Sequence, residues 1–303
     1  MDRILAMKTF VTVATEGSFS RAAERLEQSP QLVSKYVSWL EEHLGTRLMN
    51  RTTRKVSLTE GGETYLQRAQ QVLADIDDME NEVNNLQGAA RGVLRISAPV
   101  SFAIQHLPRL VSEFQQAYPD VVVDLQLNDR KVDILEEGFD IALRIGHLKS
   151  SSFIAKRIAP VRLVTCASPD YLAQNGTPQH PDELGCHRYL RYSYMADDMS
   201  FANTGNSTAP TVSRATNTSM IANNGDVLVE AAIAGSGIVI QPTFITGPAI
   251  KSGKLVPVLT AYEPEPLGLY AMYAHRRLLS SKVRCFLDFI DGYYGEPPYW
   301  DNF

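Results

Sequence analysis

Cysteine and histidine are scarce in this 303-residue chain, and neither forms a ligand pattern. The three cysteines, Cys166, Cys186 and Cys285, are odd in number and far apart, which excludes a disulfide framework and any Cys-x-x-Cys site. The six scattered histidines form no His-Glu-x-x-His motif. We therefore expect free thiols, no metal and no cofactor, with redox sensing by Cys166 or Cys186 as an alternative.

Long apolar runs and catalytic motifs are also missing. No segment approaches the ~18–20 consecutive apolar residues that a membrane span requires, and the N-terminus has no signal-peptide pattern. We therefore expect a cytoplasmic protein without a membrane partner. Without a Gly-x-Ser-x-Gly elbow or a phosphate-binding loop, the sequence predicts no enzyme. Gly235 follows a predicted helix and precedes a strand, so we interpret it as a helix C-cap.

Positive charge is in short supply overall, because the chain carries a net charge of −5. Its distribution is uneven. Residues 1–62 contain nine Lys and Arg against seven Asp and Glu, a balance of +2, whereas the remainder contains 20 against 27, a balance of −7. The N-terminal part is therefore mildly basic, and a local cluster of cations would have to provide any attraction for DNA.

A helix is predicted to begin at Ser29-Pro30. A serine hydroxyl at the N-cap accepts a backbone N–H, and proline at the next position loses no needed donor. An apolar stripe with helical spacing consists of Val33, Val37, Leu40 and Leu44. The opposite, polar face consists of Gln31, Ser34, Lys35 and Ser38. One face packs, and the other either contacts a partner or is merely solvated.

The neighbours of this helix favour DNA as the partner. A shorter helix, about Ser20 to Leu26, precedes it across Glu27-Gln28, which is helix-turn-helix spacing. After it come Arg47, Arg51, Arg54 and Lys55, interleaved with Asn50, Thr52 and Thr53. Short polar and cationic side chains in an exposed loop bind phosphates. The expected DNA contacts are Ser29, Pro30, Gln31, Ser34, Lys35, Ser38, Arg51, Thr52, Thr53 and Arg54.

These residues resemble the winged helix-turn-helix signature of the LysR-type transcriptional regulators. The resemblance lies in Ala22-Ala23, Leu26, Ser29, the run Leu40 to Gly45, Arg47-Leu48, Arg51, Leu58-Thr59 and Gly62. There are three departures. Met49 stands where many members carry Phe, Gly61 precedes Gly62 and weakens the predicted start of the next helix, and Glu27 holds a turn that is often Gly. The resemblance implies a bacterial regulator whose dimers commonly pair into tetramers.

Two more helices are predicted in this part of the chain. The first packs through Ile4, Met7, Val11 and Ala14 and ends at Glu16-Gly17. The second runs from Thr59 to about Gln87 and carries a heptad seam of Tyr65, Ala69, Val72, Ile76, Met79, Val83 and Leu86. A helix about 43 Å long is unstable alone, so we expect a homodimer, with packing on its own C-terminal domain as the alternative. A two-fold dimer predicts an interrupted near-palindromic operator.

Beyond a hinge at Gln87 to Gly92, predicted strands alternate with helices. Strands are predicted at 93–98, 121–127, 139–145, 162–167, 211–215, 238–240 and 267–274, and helices at 102–117, 132–137, from 169, 226–234 and 282–291. This alternation predicts two α/β lobes, each with a mostly parallel sheet, and a cleft between them. Gly138 to Gly146 and Ala234 to Ile238 resemble the effector-binding domain of the same regulators, which is similar in fold to periplasmic binding proteins.

The cleft is expected to hold a small organic effector. Backbone N–H groups of Val100, Ser101 and Phe102 and the Ser101 hydroxyl lie at a positive helix end suited to an anion, although Ser101 fits a plain N-cap equally well. Arg144 can pair with a carboxylate, and its simpler account is an ion pair with Asp140 or Asp133. The resemblance adds Tyr192, Asn217 and Thr218 from the facing lobe. We therefore predict a carboxylate with an aromatic or apolar part.

The predicted fold is α/β overall, with an N-terminal winged helix-turn-helix, a linker helix and a periplasmic-binding-protein-like domain. We place the DNA-binding domain at 1–60, the dimerisation helix at 61–91 and the effector-binding domain at 92–303, with lobe I at 92–162 and 267–303 and lobe II at 163–266. The predicted function is effector-modulated transcriptional regulation, with double-stranded DNA, the effector, a second copy of the chain and RNA polymerase as partners. A solute-binding or redox-sensing protein is the alternative.

Overall fold

The computed structural model describes residues 1–51, 56–84, 90–130, 137–147, 153–195, 217–274 and 279–303. The chain forms two compact units, one of Met1–Ala89 with Leu135–Gly138 and one of Ala90–Ile134 with Phe139–Phe303. Within the described ranges, no helix is long and apolar enough to cross a bilayer. In the same ranges, no three His, Cys, Asp or Glu side chains are grouped to hold a metal ion.

The first unit is a helix-turn-helix with a two-stranded wing and a long final helix. Its elements are α1 (Arg3–Glu16), α2 (Phe19–Arg25), α3 (Pro30–Leu44), β1 (Met49–Arg51), β2 (Val56–Leu58) and α4 (Glu60–Asn84). Local chemistry sets the ends of α1: Asp2 Oδ1 accepts from Ile4 N at 2.8 Å, and Gly17 closes the helix in the left-handed conformation. The predicted end at Glu16-Gly17 is confirmed.

The core of this unit corrects two predicted faces. In α3, Val33, Val37 and Leu40 are fully buried as predicted, but Leu44 is 39% exposed at the last helical residue. The predicted face of α1 is only partly right, since Ile4 is exposed and Met7 is half-buried, whereas Val11 and Ala14 are half-buried and pack against the core. The buried residues of α1 are Ala6, Thr9, Phe10 and Val13. Because α1 is apolar around most of its circumference, its spacing fits more than one face.

Helix α4 starts where its capping residue places it. It begins at Glu60 and contains both Gly61 and Gly62, so the extra glycine does not delay its start. Thr59 Oγ1 accepts from Gly62 N at 3.0 Å and donates to Arg47 O at 2.8 Å. The Thr59 hydroxyl therefore caps α4 and ties it to the segment that enters the wing. Residues 85–89, where the helix was predicted to end, lie outside the described ranges.

The second unit alternates strands and helices. Its elements are β3 (Gly92–Ala98), α5 (Val100–Ala117), β4 (Val121–Leu127), β5 (Ile141–Gly146), β6 (Phe153–Val161), β7 (Leu163–Ala167), α6 (Pro169–Asn175), β8 (Arg188–Tyr192), β9 (Asn217–Ala222), α7 (Gly225–Ile233), β10 (Ile238–Pro242), α8 (Thr243–Lys251), β11 (Val256–Val258), β12 (Leu267–Ala274) and α9 (Ser281–Ile290). The sequence patterns missed β6, β8, β9, α8 and β11. The predicted strand at 211–215 and, apart from Glu137, the predicted helix at 132–137 lie outside the described residues.

The strands form two five-stranded mixed sheets, in the orders β4-β3-β5-β12-β6 and β11-β7-β10-β8-β9. We call the parts built on the first and second sheets lobe I and lobe II. The prediction of mostly parallel sheets is wrong, because each sheet has two parallel and two antiparallel pairings. The parallel part of lobe II is β10-β8-β9, and that of lobe I is β4-β3-β5.

The chain passes between the lobes twice, and the two connecting segments are hydrogen-bonded to each other. Arg162 lies between β6 and β7, and Glu263 lies between β11 and β12. Arg162 Nε and Nη2 donate to the Glu263 carboxylate at 2.8 and 3.0 Å, a bidentate pair. The Arg162 carbonyl accepts from Thr243 N at 2.9 Å, at the start of α8. Side-chain and backbone bonds therefore join both connecting segments to lobe II.

Candidate DNA-binding surface and effector cleft

The amino end of α3 presents polar side chains on an accessible face. Ser29 Oγ accepts from Leu32 N at 3.3 Å, and Pro30 occupies the first helical position, so the predicted helix start is confirmed. The side chains of the predicted reading face are exposed at Ser29, Pro30, Gln31, Lys35 and Ser38 and half-buried at Ser34. Since the opposite stripe is buried, α3 has one packed face and one face available to a groove of DNA.

The turn between α2 and α3 is held by its backbone. Gln28 N donates to Ala23 O at 2.9 Å, and Ser18 caps α2 by accepting from Arg21 N at 3.4 Å. Glu27 adopts a positive φ of 51°, a conformation that glycine adopts more easily. This departure in sequence therefore leaves the left-handed turn geometry in place.

A carboxylate attaches the wing to α3. Glu41 Oε1 accepts from Leu48 N at 2.9 Å and from Met49 N at 3.0 Å, directly before the antiparallel β1-β2 pair. Bonds to a charged acceptor are the stronger kind, so Glu41 positions the wing relative to the recognition helix. The main chain of Arg51 ends β1. The Arg51 side chain and the predicted contacts Thr52, Thr53 and Arg54 lie outside the described residues.

In the second unit, an internal carboxylate occupies the start of α5. The N-cap residue Pro99 offers no side-chain cap, and Val100 N donates instead to Asp129 Oδ1 at 3.0 Å. Burial raises the pKa of Asp129, the Val100 N–H opposes this, and nearby Asp226 raises the pKa further. Asp129 was missed by sequence reasoning, although its position just beyond the carboxyl end of β4 was an available signal.

The other two residues predicted at the start of α5 differ in burial and surroundings. Ser101 is buried in the first turn. Phe102 is fully buried, and its ring packs edge-on against Phe244, Tyr294 and Trp300. The Phe102 side chain therefore belongs to the core, so only its backbone is available to a ligand.

Arg144 is half-buried in β5 and reaches the neighbouring strand. It donates to Leu143 O at 2.6 Å and to Ser97 Oγ at 2.9 Å. Asp140, one of its two predicted partners, accepts from Arg95 N at 2.9 Å and lies 3.7 Å from Lys282 Nζ. Asp133, the other, lies outside the described residues. The positive charge of Arg144 lowers the pKa of Asp129 slightly, against the larger effect of burial.

The residues predicted from lobe II are not brought together. Tyr192 ends β8 and pairs with Ala222, whereas Asn217 pairs with Arg188 at the other end of the same strands. Four residues of strand separate these positions by roughly 13 Å. Burial raises the pKa of the Tyr192 phenol, and the neighbouring Asp129 raises it further. Tyr192 therefore lies at the carboxyl edge of the sheet, and Asn217 and Thr218 lie at the amino end of β9.

Two family descriptions match the chain: "Bacterial regulatory helix-turn-helix protein, lysR family" over residues 4–63 and "LysR substrate binding domain" over residues 87–294. The chain belongs to the LysR family of transcriptional regulators. A transcriptional regulator of Haemophilus influenzae is 36% identical over 93% of this chain and 98% of its own length. The solved structure of CrgA, a LysR-type regulator from Neisseria meningitidis, is 32% identical with a TM-score of 0.59 and covers 94% of this chain and 96% of CrgA. The full-length structure of the Vibrio cholerae virulence activator AphB is 28% identical with a TM-score of 0.61, and the match covers 97% of this chain and 99% of AphB.

The seam of α4 in this LysR-type regulator divides into two parts. Tyr65 packs edge-on against Phe10 at 5.5 Å, and Ala69 is buried, so the first turns of the seam are used within the subunit. Further along, Val72 is 44% and Met79 is 58% exposed. Ile76 is half-buried, and Val83 and Leu86 lie where no side chain is described. Val72 and Met79 are therefore apolar side chains on the second part of α4 that the described residues of the subunit leave exposed.

The thiols of this LysR-type regulator differ in accessibility. Cys166 is fully buried in β7, and burial raises its pKa to about 12, so it is a protonated, unreactive thiol at neutral pH. Cys186 is exposed at the end of a short 3₁₀ helix, and Cys285 is half-buried in α9 beside Tyr118. The burial of Cys166 argues against a sensor role for it.

Proposed function

We propose that this LysR-type regulator binds an interrupted near-palindromic operator as a homodimer, and that a small organic carboxylate between lobes I and II modulates this binding. Residues 1–60 would bind DNA, 61–91 dimerise and 92–303 bind the effector. The proposal depends on one observation above all: the exposed polar face of α3 lies opposite a fully buried stripe, at a capped helix start.

On DNA, α3 would read bases while the wing holds phosphates. Gln31 has the donor and acceptor that adenine matches in the major groove, and Lys35 can donate to guanine or to phosphate. The hydroxyls of Ser29, Ser34 and Ser38 suit phosphate or base edges, and Pro30 offers apolar contact. The wing residues Arg51, Thr52, Thr53 and Arg54 would bind the backbone beside the groove.

Two alanine variants separate these roles. Arg51→Ala is expected to weaken binding to all sequences alike and to reduce the slope of log K against log salt by roughly one. Gln31→Ala is expected to relax discrimination at one base position by about 1–3 kcal/mol. Binding titrations at several salt concentrations test the first variant, and selection from a randomised site tests the second.

Arg109 provides the control, because this exposed cation lies on α5, outside the helix-turn-helix. Arg109→Ala should leave the salt slope unchanged. A base preference that Gln31→Ala does not alter would show that the reading face of α3 is misassigned.

Dimerisation through α4 is supported by the apolar exposure of Val72 and Met79. The double variant Val72→Glu, Met79→Glu is expected to shift the protein towards smaller assemblies, because buried carboxylates would repel each other across a symmetric seam. Sedimentation at micromolar concentration measures this shift and also whether wild-type dimers pair into tetramers. Gln67→Glu, on the exposed side of α4, is the matched control. Equal sedimentation of both variants would contradict the proposal.

For the effector, we propose Arg144 as the carboxylate partner, with Val100, Ser101, Phe102 and Tyr192 as further contacts. Val100 and Phe102 can contribute only through their backbones, and the Val100 N–H is already engaged by Asp129. Asn217 and Thr218 lie at the opposite end of the β8-β9 pairing from Tyr192, so a ligand beside Tyr192 would have to extend roughly 13 Å along the strands to reach Asn217. Calorimetric titration with small aromatic and aliphatic acids tests this proposal, and absence of binding to DNA-competent protein would contradict it. RNA polymerase is proposed as a partner at the promoter.

A further inference from the structure

Gln241 is a buried amide whose nitrogen has no hydrogen-bond partner. It belongs to β10 in lobe II, and its side chain is 2% exposed. Nε2 is shielded from solvent, and none of the described residues accepts a hydrogen bond from it. Native proteins retain few such groups, because a buried donor without an acceptor loses its hydration and gains nothing in return. A role for this amide must therefore compensate for the stability that it costs.

The carboxamide lies against the first residue of α7. Val239 packs in the cluster that contains Leu228 and Val229 of α7, whereas Ile238 and Ile240 pack in the cluster on the other face of the sheet. Gln241 shares the face of Val239, because side chains alternate along a strand. Its Oε1 lies 2.8 Å from the position that a Cβ on Gly225 would occupy. Glycine at this position therefore leaves room for the amide.

Two further groups meet the amide at the carboxyl edge of lobe II. The N–H groups of Gly225 and Asp226 belong to the first turn of α7, where no intrahelical acceptor exists, and Asn224 caps only Val227 N, at 3.2 Å. On the adjacent strand β8, which is parallel to β10 with the register Ile238↔Tyr189 and Val239↔Leu190, Tyr192 is the last residue. Gln241, the start of α7 and Tyr192 thus all lie at the carboxyl edge of lobe II, where α/β sheets bind ligands.

The surrounding charge restricts what these donors can bind. Gln241 Nε2 has no acceptor among the described residues, and the first N–H groups of α7 have none within the helix. However, the carboxylate of Asp226 lies in the first turn of α7, and Asp129 interacts electrostatically with both Asp226 and Tyr192. A second anion at this end of the cleft would be repelled by two carboxylates. An uncharged oxygen satisfies the donors without that repulsion.

We infer that Gln241 and the start of α7 form a subsite in lobe II that binds an uncharged oxygen acceptor of the effector, namely a hydroxyl or a carbonyl group. This inference rests on the proposed function, in which Arg144 of lobe I binds the carboxylate. The effector would then be a carboxylate that carries a hydroxyl or oxo group at its far end. Gln241 would discriminate it from the deoxygenated analogue, because an unfilled subsite leaves the amide unpaired.

The first test measures the stability of full-length protein without ligand. Gln241→Met keeps the length and shape of the side chain and removes its unpaired donor, so the melting temperature is expected to rise by roughly 2–8 °C. Gln115→Met is the matched control, because Gln115 Nε2 donates to Val121 O at 3.2 Å and its loss should lower the melting temperature or leave it unchanged. A fall for Gln241→Met would mean that the amide is structurally satisfied, which overturns the inference.

The second test measures ligand discrimination by calorimetry. The probes are two matched pairs of monocarboxylates, phenylacetate with 4-hydroxyphenylacetate and pentanoate with 5-hydroxypentanoate, and the neutral 4-hydroxyphenylacetamide. In wild type, the oxygen-bearing member of at least one pair is expected to bind roughly tenfold more tightly than its partner, the ratio for one ordinary hydrogen bond. Gln241→Met should remove this preference, by weakening the binding of the oxygen-bearing acid towards that of its partner.

The remaining outcomes separate the subsite from the carboxylate proposal. A preference that persists in Gln241→Met would overturn the subsite and leave Arg144 as the carboxylate partner. Binding of the neutral amide alone, lost in Gln241→Met, would refute the carboxylate and support the subsite. If no probe, charged or neutral, binds wild type, both are wrong.

Discussion

Gly62→Ala is expected to destabilise the helix-turn-helix unit by about 3 kcal/mol or more, because the added methyl has no space. A Cβ on Gly62 would lie 1.9 Å from the carbonyl oxygen of Leu48 and 2.9 Å from its carbon. That carbonyl also accepts from Thr59 N at 3.0 Å, so moving it would break the junction between wing and α4. Denaturant unfolding of full-length protein and titration with DNA measure the loss of stability and of binding.

Gly61 offers a control in the same turn of α4. A Cβ on Gly61 would meet only Thr59 Oγ1, at 3.8 Å, which is ordinary contact. Gly61→Ala is therefore expected to be neutral or to stabilise by up to about 1 kcal/mol through helix propensity. Equal unfolding midpoints for the two alanine variants would contradict the close approach of Gly62 to Leu48.

Phe102→Ala is expected to cost about 3–5 kcal/mol of unfolding free energy, the usual cost of removing a fully buried phenylalanine ring. The Phe102 ring centroid lies 5.4 Å from that of Phe244, 5.6 Å from that of Tyr294 and 5.8 Å from that of Trp300. These contacts join α5 of lobe I to α8 of lobe II and to the C-terminal segment. Urea unfolding of the full-length protein measures the cost.

Ile104 is the matched control, since it lies two residues further along α5 and is 61% exposed. Ile104→Ala should change stability by less than about 0.5 kcal/mol. If Phe102→Ala unfolded like wild type and lost only its response to acids, the Phe102 ring would line the cleft instead of packing in the core.

The helix stripes show where periodicity is sufficient. In α3, the polar face is distinct, so the spacing of Val33, Val37 and Leu40 identified the buried side correctly. In α1, apolar residues surround the helix, and the spacing chose Ile4 rather than the buried Phe10. Leu44 fits the stripe of α3 but is the last helical residue before Gly45, where exposure replaces packing. Helical spacing predicts which side chains are buried only where the helix has a distinct polar face, and it fails at the last turn, where the helix ends and no longer packs on the core.

The residues of the candidate cleft show that the spacing of residues in the sequence does not predict contacts between distant segments. Ser101, Arg144 and Tyr192 were assigned from strand ends and resemblance. Asp129, however, accepts a hydrogen bond from a residue 29 positions away, and the Gln241 side chain on β10 lies against Gly225 at the start of α7. No local pattern encodes either contact. Asn217 and Tyr192 were grouped from sequence, and strand register separates them.

Local chemistry determined three helix boundaries of this protein from the sequence alone, namely the start of α3 and the ends of α1 and α7. Serine at position 29, proline at 30 and glycine at 17 and 235 act on their own backbone within a few residues, so the cap at Ser29 and the left-handed Gly17 and Gly235 were predictable. Strand direction, the burial of Phe102 and the unpaired amide of Gln241 depend on segments distant in the chain. Only the tertiary structure decided these three features, because packing and hydrogen bonding between distant segments depend on how the whole chain folds.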